Sequence, residues 1–162
     1  LRHLSRISEC IREITDISRN RAIAYLLESK GYIEKNKDVE NSLHFYVKMC
    51  SLSVTAESLA GLGLILANDG IHPDTGKRLL SSQAVKIVKT LMFTCGMYDG
   101  SGEFAVRVGI PSKSGVGGGI MAVVPTRMGI GIFSPALDEK GNGYAGIMLL
   151  QKLSEQLFLS IF

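Results

Sequence analysis

The stretch GIPSKSGVGGGIMAVVP, Gly109 to Pro125, places Lys113 and Ser114 just ahead of a run of three glycines and an apolar segment. Such a bare backbone suits close approach of a ligand, and two chemistries use it. One is a dinucleotide loop, since Gly117, Gly119 and Ala122 fit G-x-G-x-x-A. That loop needs a strand before it and a helix starting in it, so that the helix N-terminus faces the pyrophosphate. The residues that follow, Ile120 to Pro125, are strand-forming instead, and no Walker pattern is present. The other is an edge strand beside a reactive centre, where backbone N–H groups are aimed at an oxyanion formed during acyl transfer. Lys113 and Ser114 would then serve a carboxylate or a proton relay. A glycine bulge within a sheet is the plain alternative.

The elements that must hold this stretch follow from periodicity. Charged and aliphatic residues alternate at helical spacing over Leu1 to Ile17. A helix is predicted over Arg21 to Lys30 with Gly31 as its stop. EKNKD, Glu34 to Asp38, reads as a loop and Val39 to Cys50 as a helix. Thr55 is an N-cap candidate for Ala56 to Ala67, with Glu57 in the first turn and Gly70 beyond the end. HPDTGK is a turn cluster, and Ser81 or Ser82 starts a helix through Met92. After Gly96 the period changes. EFAVRVG alternates, with Phe104, Val106 and Val108 on one face, and GIMAVVP and MGIGIFSP are two further β-prone runs. Together they predict a three-stranded antiparallel meander. From Ala145 a last helix places Gly146, Leu150, Leu153, Leu157 and Ile161 on an apolar stripe, with Gln151, Lys152, Ser154 and Glu155 opposite. The predicted class is α+β: a helical block, an antiparallel sheet segment and a covering C-terminal helix.

Composition narrows the function classes. The 162 residues are expected to form one domain or a piece of a larger one, and the absence of an initiator Met favours the piece. Eighteen basic and fifteen acidic residues leave a net charge of only +3, with no tryptophan and no basic stripe, which argues against nucleic-acid binding. Cys10, Cys50 and Cys95 are odd in number and far apart, which fits a reducing compartment such as the cytoplasm. His3, His44 and His72 are equally dispersed, so no metal site is legible. No apolar run reaches the length of a membrane span.

Several stretches resemble the glutaminases, cofactor-free hydrolases that convert glutamine to glutamate and ammonia. They are RNRAIAYLLESKG, CSLSVTAESLAGLGLILANDGIHPDTGKRLLS, CGMYDGSGEFAVRVGIPSKSGVGGGIMAVVP and FSPALDEKGNGYAGIMLLQKLS, in order and with matching spacing. The family is related to serine β-lactamases and penicillin-binding proteins, and Lys113-Ser114-Gly115 resembles that superfamily's Lys-Ser/Thr-Gly triplet. The resemblance implies a β-lactamase-like fold, L-glutamine as substrate, no metal or cofactor, and homo-oligomerisation. It implies that Tyr98, in GMYD, is the active-site tyrosine that assists proton transfer. A phenol needs a neighbouring cation for that work near neutral pH. It further implies that the backbone N–H of Val116 completes an oxyanion hole, that Tyr46 contacts substrate, and that Asn20 and Glu13 hold the α-carboxylate and α-amino ends of glutamine. Read without the family, Glu13 is a solvated helix residue, Asn20 a helix cap, Tyr46 part of an amphipathic core and Tyr98 a turn residue.

Two departures stand out. Where the family has Gly-Asp ahead of Arg-Asn, this chain has Ile17 and Ser18, and Ile17 resists a turn that glycine would permit. In addition, no serine has a lysine three residues later, so the family's Ser-x-x-Lys nucleophile motif is absent from these residues. The expectation is the C-terminal portion of a glutaminase catalytic domain, inactive alone. A related penicillin-recognising hydrolase and a non-catalytic binding or assembly domain are the alternatives.

Overall fold

Caps and register set the helices and strands of the computed structural model, which describes residues 17–34 and 38–162. The chain divides into two compact units, Leu1–Ser53 and Val54–Phe162. The expected helix over Leu1 to Ile17 and the site candidate Glu13 lie outside the described residues, apart from Ile17 itself.

In the first unit, α1 spans Ser18–Ser29 and α2 spans Val39–Cys50. Asp38 caps α2, its carboxylate accepting from the Asn41 N–H at 3.0 Å. Ile17, Ala24, Val39, Leu43 and Val47 form the apolar seam between the helices. Arg21 grips Glu40 through both oxygens at 2.8 and 3.0 Å, which holds the Glu40 carboxyl below its usual range. Ile17 enters α1 at φ −100° and is buried, a backbone conformation that does not call for glycine at this position.

The second unit begins with α3, Ala56–Ala67, whose first turn is closed by Thr55 Oγ1 accepting from the Ser58 N–H at 3.1 Å. α4, Ser82–Cys95, is capped by Ser81 in the same way at 3.2 Å. A 3₁₀ turn at Tyr98–Gly100 leads into α5, Ser101–Arg107. Strands β1 (Ser112–Ser114), β2 (Gly119–Val124) and β3 (Met128–Phe133) form an antiparallel sheet in the order β1-β2-β3. α6, Tyr144–Leu157, closes the fold.

The register aligns Ser114, Ile120 and Ile132 across the three strands. Ile120, Ala122 and Ile132 pack on that face with Leu150 of α6. Burying each isoleucine or leucine side chain contributes roughly 1.5–3 kcal/mol. Met121 and Val123 point to the other face, where they meet Leu66, Ala67, Val85 and Met92 of α3 and α4. The α+β class is therefore as expected, and the sheet is a three-stranded antiparallel meander with two of its three expected strands, with helices on both faces.

Three expectations are corrected. EFAVRVG is helix α5, not the first strand; that strand is Ser112–Ser114. Phe104 and Val108 are buried because they are four residues apart on one helical face, while Val106 is 89% exposed. Glu103 and Arg107, also four apart, are joined at 3.0 Å. In α6 the buried stripe is Gly146, Leu150 and Ser154. Ser154, expected on the polar side, is buried because its hydroxyl donates to the Val108 carbonyl at 2.6 Å. The helix ends at Leu157, and Phe158 takes a left-handed conformation, so Ile161 lies past its end.

Candidate active site

The hairpin between β1 and β2 carries the glycine-rich stretch. Its turn is closed by the Gly118 N–H donating to Gly115 O and the Gly115 N–H donating to Gly119 O, both at 2.9 Å. Gly118 has φ +86°, a conformation that favours glycine, and a Cβ there would lie 2.6 Å from Ser134 O. Val116 stands at the tip of the turn with its side chain exposed, and its N–H takes part in neither closing bond. A strand follows the glycines, so the phosphate-loop geometry is absent.

Beside the hairpin lies the Tyr98 turn. The Ser114 N–H donates to Gly96 O at 3.0 Å, which ties the end of α4 to the edge strand β1. Two residues on, Tyr98 adopts φ +52°. For a residue with a bulky side chain this costs on the order of 1–3 kcal/mol, and such strain gathers at functional sites. The residue is 40% exposed. Lys113 Nζ stands over it, 4.6 Å from the ring centre, a cation–π distance, and also donates to Ser114 O. A methyl built on Gly141 would sit 3.8 Å from both Tyr98 Cε2 and Val116 Cγ1. The Tyr98 ring and Val116 therefore flank the same bare backbone.

The structure thus brings together Tyr98, Val116 and Lys113 in the second unit. Asn20 is half-buried in the first turn of α1, inside the helix and not ahead of it as a cap. Tyr46 is exposed on α2. Sequence periodicity does not single out Gly141 and the neighbouring Asn142, which lie in the polar stretch DEKGNG between the last β-prone run and the final helix. Asp138 of that stretch accepts from the N–H groups of Lys140 and Asn142 at 2.9 and 2.8 Å, a turn geometry that Asp at that position favours. Lys140 reaches Glu103 at 2.9 Å, a bond that holds the Glu103 carboxyl below and the Lys140 ammonium above their ordinary ranges. A cleft of about 480 Å³ adjoins the turn, lined by Met97, Phe104, Lys140, Asn142, Ile147 and others. Among the described residues no helix is long and apolar enough to cross a membrane, and no group of three metal-binding side chains is found.

The family described as Glutaminase matches residues 7–162. The chain belongs to the glutaminase family. A glutaminase of Clostridium tetani is 58% identical over 144 residues, covering 89% of this chain and 46% of that protein. Glutaminase 2 of Clostridium perfringens is also 58% identical, over 89% of this chain and 47% of its own length. The chain spans about half the length of the curated relatives it matches. A crystal structure of a Bacillus subtilis glutaminase, covalently joined to 5-oxo-L-norleucine after reaction with 6-diazo-5-oxo-L-norleucine, superposes with a TM-score of 0.89. It is 45% identical, and the match covers 94% of this chain and 54% of that one. The fold of this glutaminase-family chain is accordingly the corresponding portion of the β-lactamase-like fold.

Proposed function

We propose that this chain is the C-terminal portion of the single catalytic domain of a glutaminase, which hydrolyses L-glutamine to L-glutamate and ammonia. The observation that carries the reading is the Val116 N–H. It stands at the hairpin tip outside both bonds of the turn, beside a strained tyrosine with a lysine over its ring. A serine from the portion of the enzyme upstream of this match attacks the side-chain amide carbon. The carbonyl oxygen takes up negative charge and the Val116 N–H donates to it. The C–N bond then breaks, a proton relayed through Tyr98 goes to the leaving nitrogen, and ammonia departs. Water attacks the resulting serine ester, releasing glutamate and returning the proton to the serine oxygen.

Asn20 and Glu13 are assigned the two charged ends of glutamine, an amide donor for the carboxylate and an acid for the ammonium. Tyr46 is assigned a contact with substrate. The covalent adduct of the Bacillus subtilis relative supports a nucleophilic mechanism for this chain's reading. Self-association and a reducing, cytoplasmic setting complete the proposal; Cys50 and Cys95 are both unpaired and exposed.

The test joins this chain to the portion of the Clostridium tetani glutaminase that lies outside the match. The chain alone should release no ammonia from glutamine, and the joined protein should. Val116→Pro removes the N–H at a turn position that tolerates proline, so folding should survive. Its turnover should fall by about 10²–10³-fold, the loss typical of one oxyanion donor. Ammonia release by the joined protein that is indifferent to Val116→Pro would sink the assignment, as would glutamine hydrolysis by the chain alone.

A further inference from the structure

Three side-chain atoms among the described residues are buried without a hydrogen-bond partner: Ser114 Oγ, Ser134 Oγ and Asn142 Oδ1. The last has a cause in the geometry. Asn142 is 1% exposed, and its Nδ2 donates to the Met97 carbonyl at 3.2 Å. Turning the amide over would set oxygen against oxygen. The fold therefore leaves one acceptor unsatisfied, an unfavourable arrangement, while keeping the donor on Met97 O. That carbonyl belongs to the peptide plane immediately before the Tyr98 Cα, and the Gly100 N–H also donates to it at 3.0 Å. The plane immediately after is held as well. The Ser101 hydroxyl donates to Tyr98 O at 2.7 Å and accepts from the Met97 N–H at 3.0 Å. Both planes flanking Tyr98 are pinned, and together they hold it at its positive φ of +52°.

We propose that Asn142 and Ser101 are positioning residues for Tyr98, holding it in a conformation it would not otherwise keep so that its ring stays under Lys113 and beside Val116. The proposal rests on the reading of Tyr98 as the proton-transfer group. The Asp138 carboxylate sets the far end of the device, since it receives the Asn142 N–H at 2.8 Å and so fixes where the amide begins.

The test uses the joined protein without any measurement of turnover, so failure of the glutaminase reading and failure of this one are distinguishable. Lysine and methyl groups are labelled, and the upfield displacement of the Lys113 side-chain protons by the Tyr98 ring is read by NMR. Asn142→Leu is near-isosteric and removes both the donor and the orphaned acceptor. Its melting temperature should not fall, yet the Lys113 displacement should drop by roughly half or more as the ring leaves cation–π range. The Leu150 and Val123 methyls, in the two cores on either face of the sheet, should not move. Ser101→Ala should weaken the same signal and Ser101→Thr, which keeps the hydroxyl, should restore it. A Lys113 signal unchanged in both Asn142→Leu and Ser101→Ala overturns the proposal. Should Asn142→Leu unfold the core, the Ser101 pair decides on the same signal: loss with recovery supports it, and equal signals overturn it.

Discussion

Gly129 and Gly131 on β3 and Gly115 and Gly117 in the hairpin turn are bare for different reasons. A Cβ on Gly131 would run into the Ala56 carbonyl oxygen, and one on Gly129 would meet the backbone of Ala60 and Leu64. Those glycines face inward and let helix α3 lie directly on the sheet. Around Gly117 nothing stands within 4 Å of the added atom, and at Gly115 the nearest neighbour is 3.9 Å away. Here the bareness faces outward, next to Val116. Similar residue types in neighbouring segments thus serve packing in one place and access in the other. Only the surroundings separate them.

The sharpest break in that comparison is Gly131→Ala. It should lower stability by about 3 kcal/mol, the upper end for a forced overpacking against a backbone that cannot yield, measured by urea unfolding. A variant as stable as the parent would show that the seam between α3 and β3 is loose. Gly117→Ala is the counterpart. It should change stability by no more than about 0.5 kcal/mol, as for an exposed site. In the joined enzyme it should still lose roughly tenfold or more in turnover, because the new methyl stands next to the Val116 N–H that is proposed to hold the oxyanion. Full activity in Gly117→Ala would remove access as the reason for the outer glycines.

What was legible in the sequence follows the same division. The caps at Thr55 and Ser81 were readable because a cap is a local bond, closed within three residues. The strand after the glycines was readable because an apolar run ending in proline has few other solutions. α5 was misread because over seven residues an alternating pattern also places Phe104 and Val108 four apart, and nothing local separates the two periods. Ser154 and Asn142 were not readable at all. Their partners, Val108 O and Met97 O, lie 46 and 45 residues away in sequence. The contact of Lys113 with Tyr98 is likewise tertiary, so the sequence could suggest a cation near the tyrosine without naming its geometry.

The smallest effect concerns the polar side of the site, where the Asp138–Asn142 loop is held by hydrogen bonds and by the exposed Glu103–Lys140 pair and not by a packed apolar seam. Glu103 has its carboxyl lowered from the ordinary 4.5, first by the Lys140 hydrogen bond and then by the Lys140 and Arg107 charges. A lowered folded value means that the bond's contribution is present above pH 4.5 and is lost as pH falls through the folded value. Lys140 is raised from 10.5, so its share is complete below that pH and disappears as pH rises through the folded value. Acidification from pH 6 to 3 should therefore loosen the loop while the α3–β3 seam, which holds no titrating pair, stays closed. Amide protection at Gly141, whose N–H donates to the Asp138 backbone carbonyl at 3.1 Å, should fall by roughly two- to threefold after correction for intrinsic exchange, the modest scale of exposed pairs. Glu103→Gln should begin at the low protection and show less of the pH response. An equal loss at Gly129 and Gly131 would mean that the two regions open together, and the division between a packed seam and a polar-held site would fail.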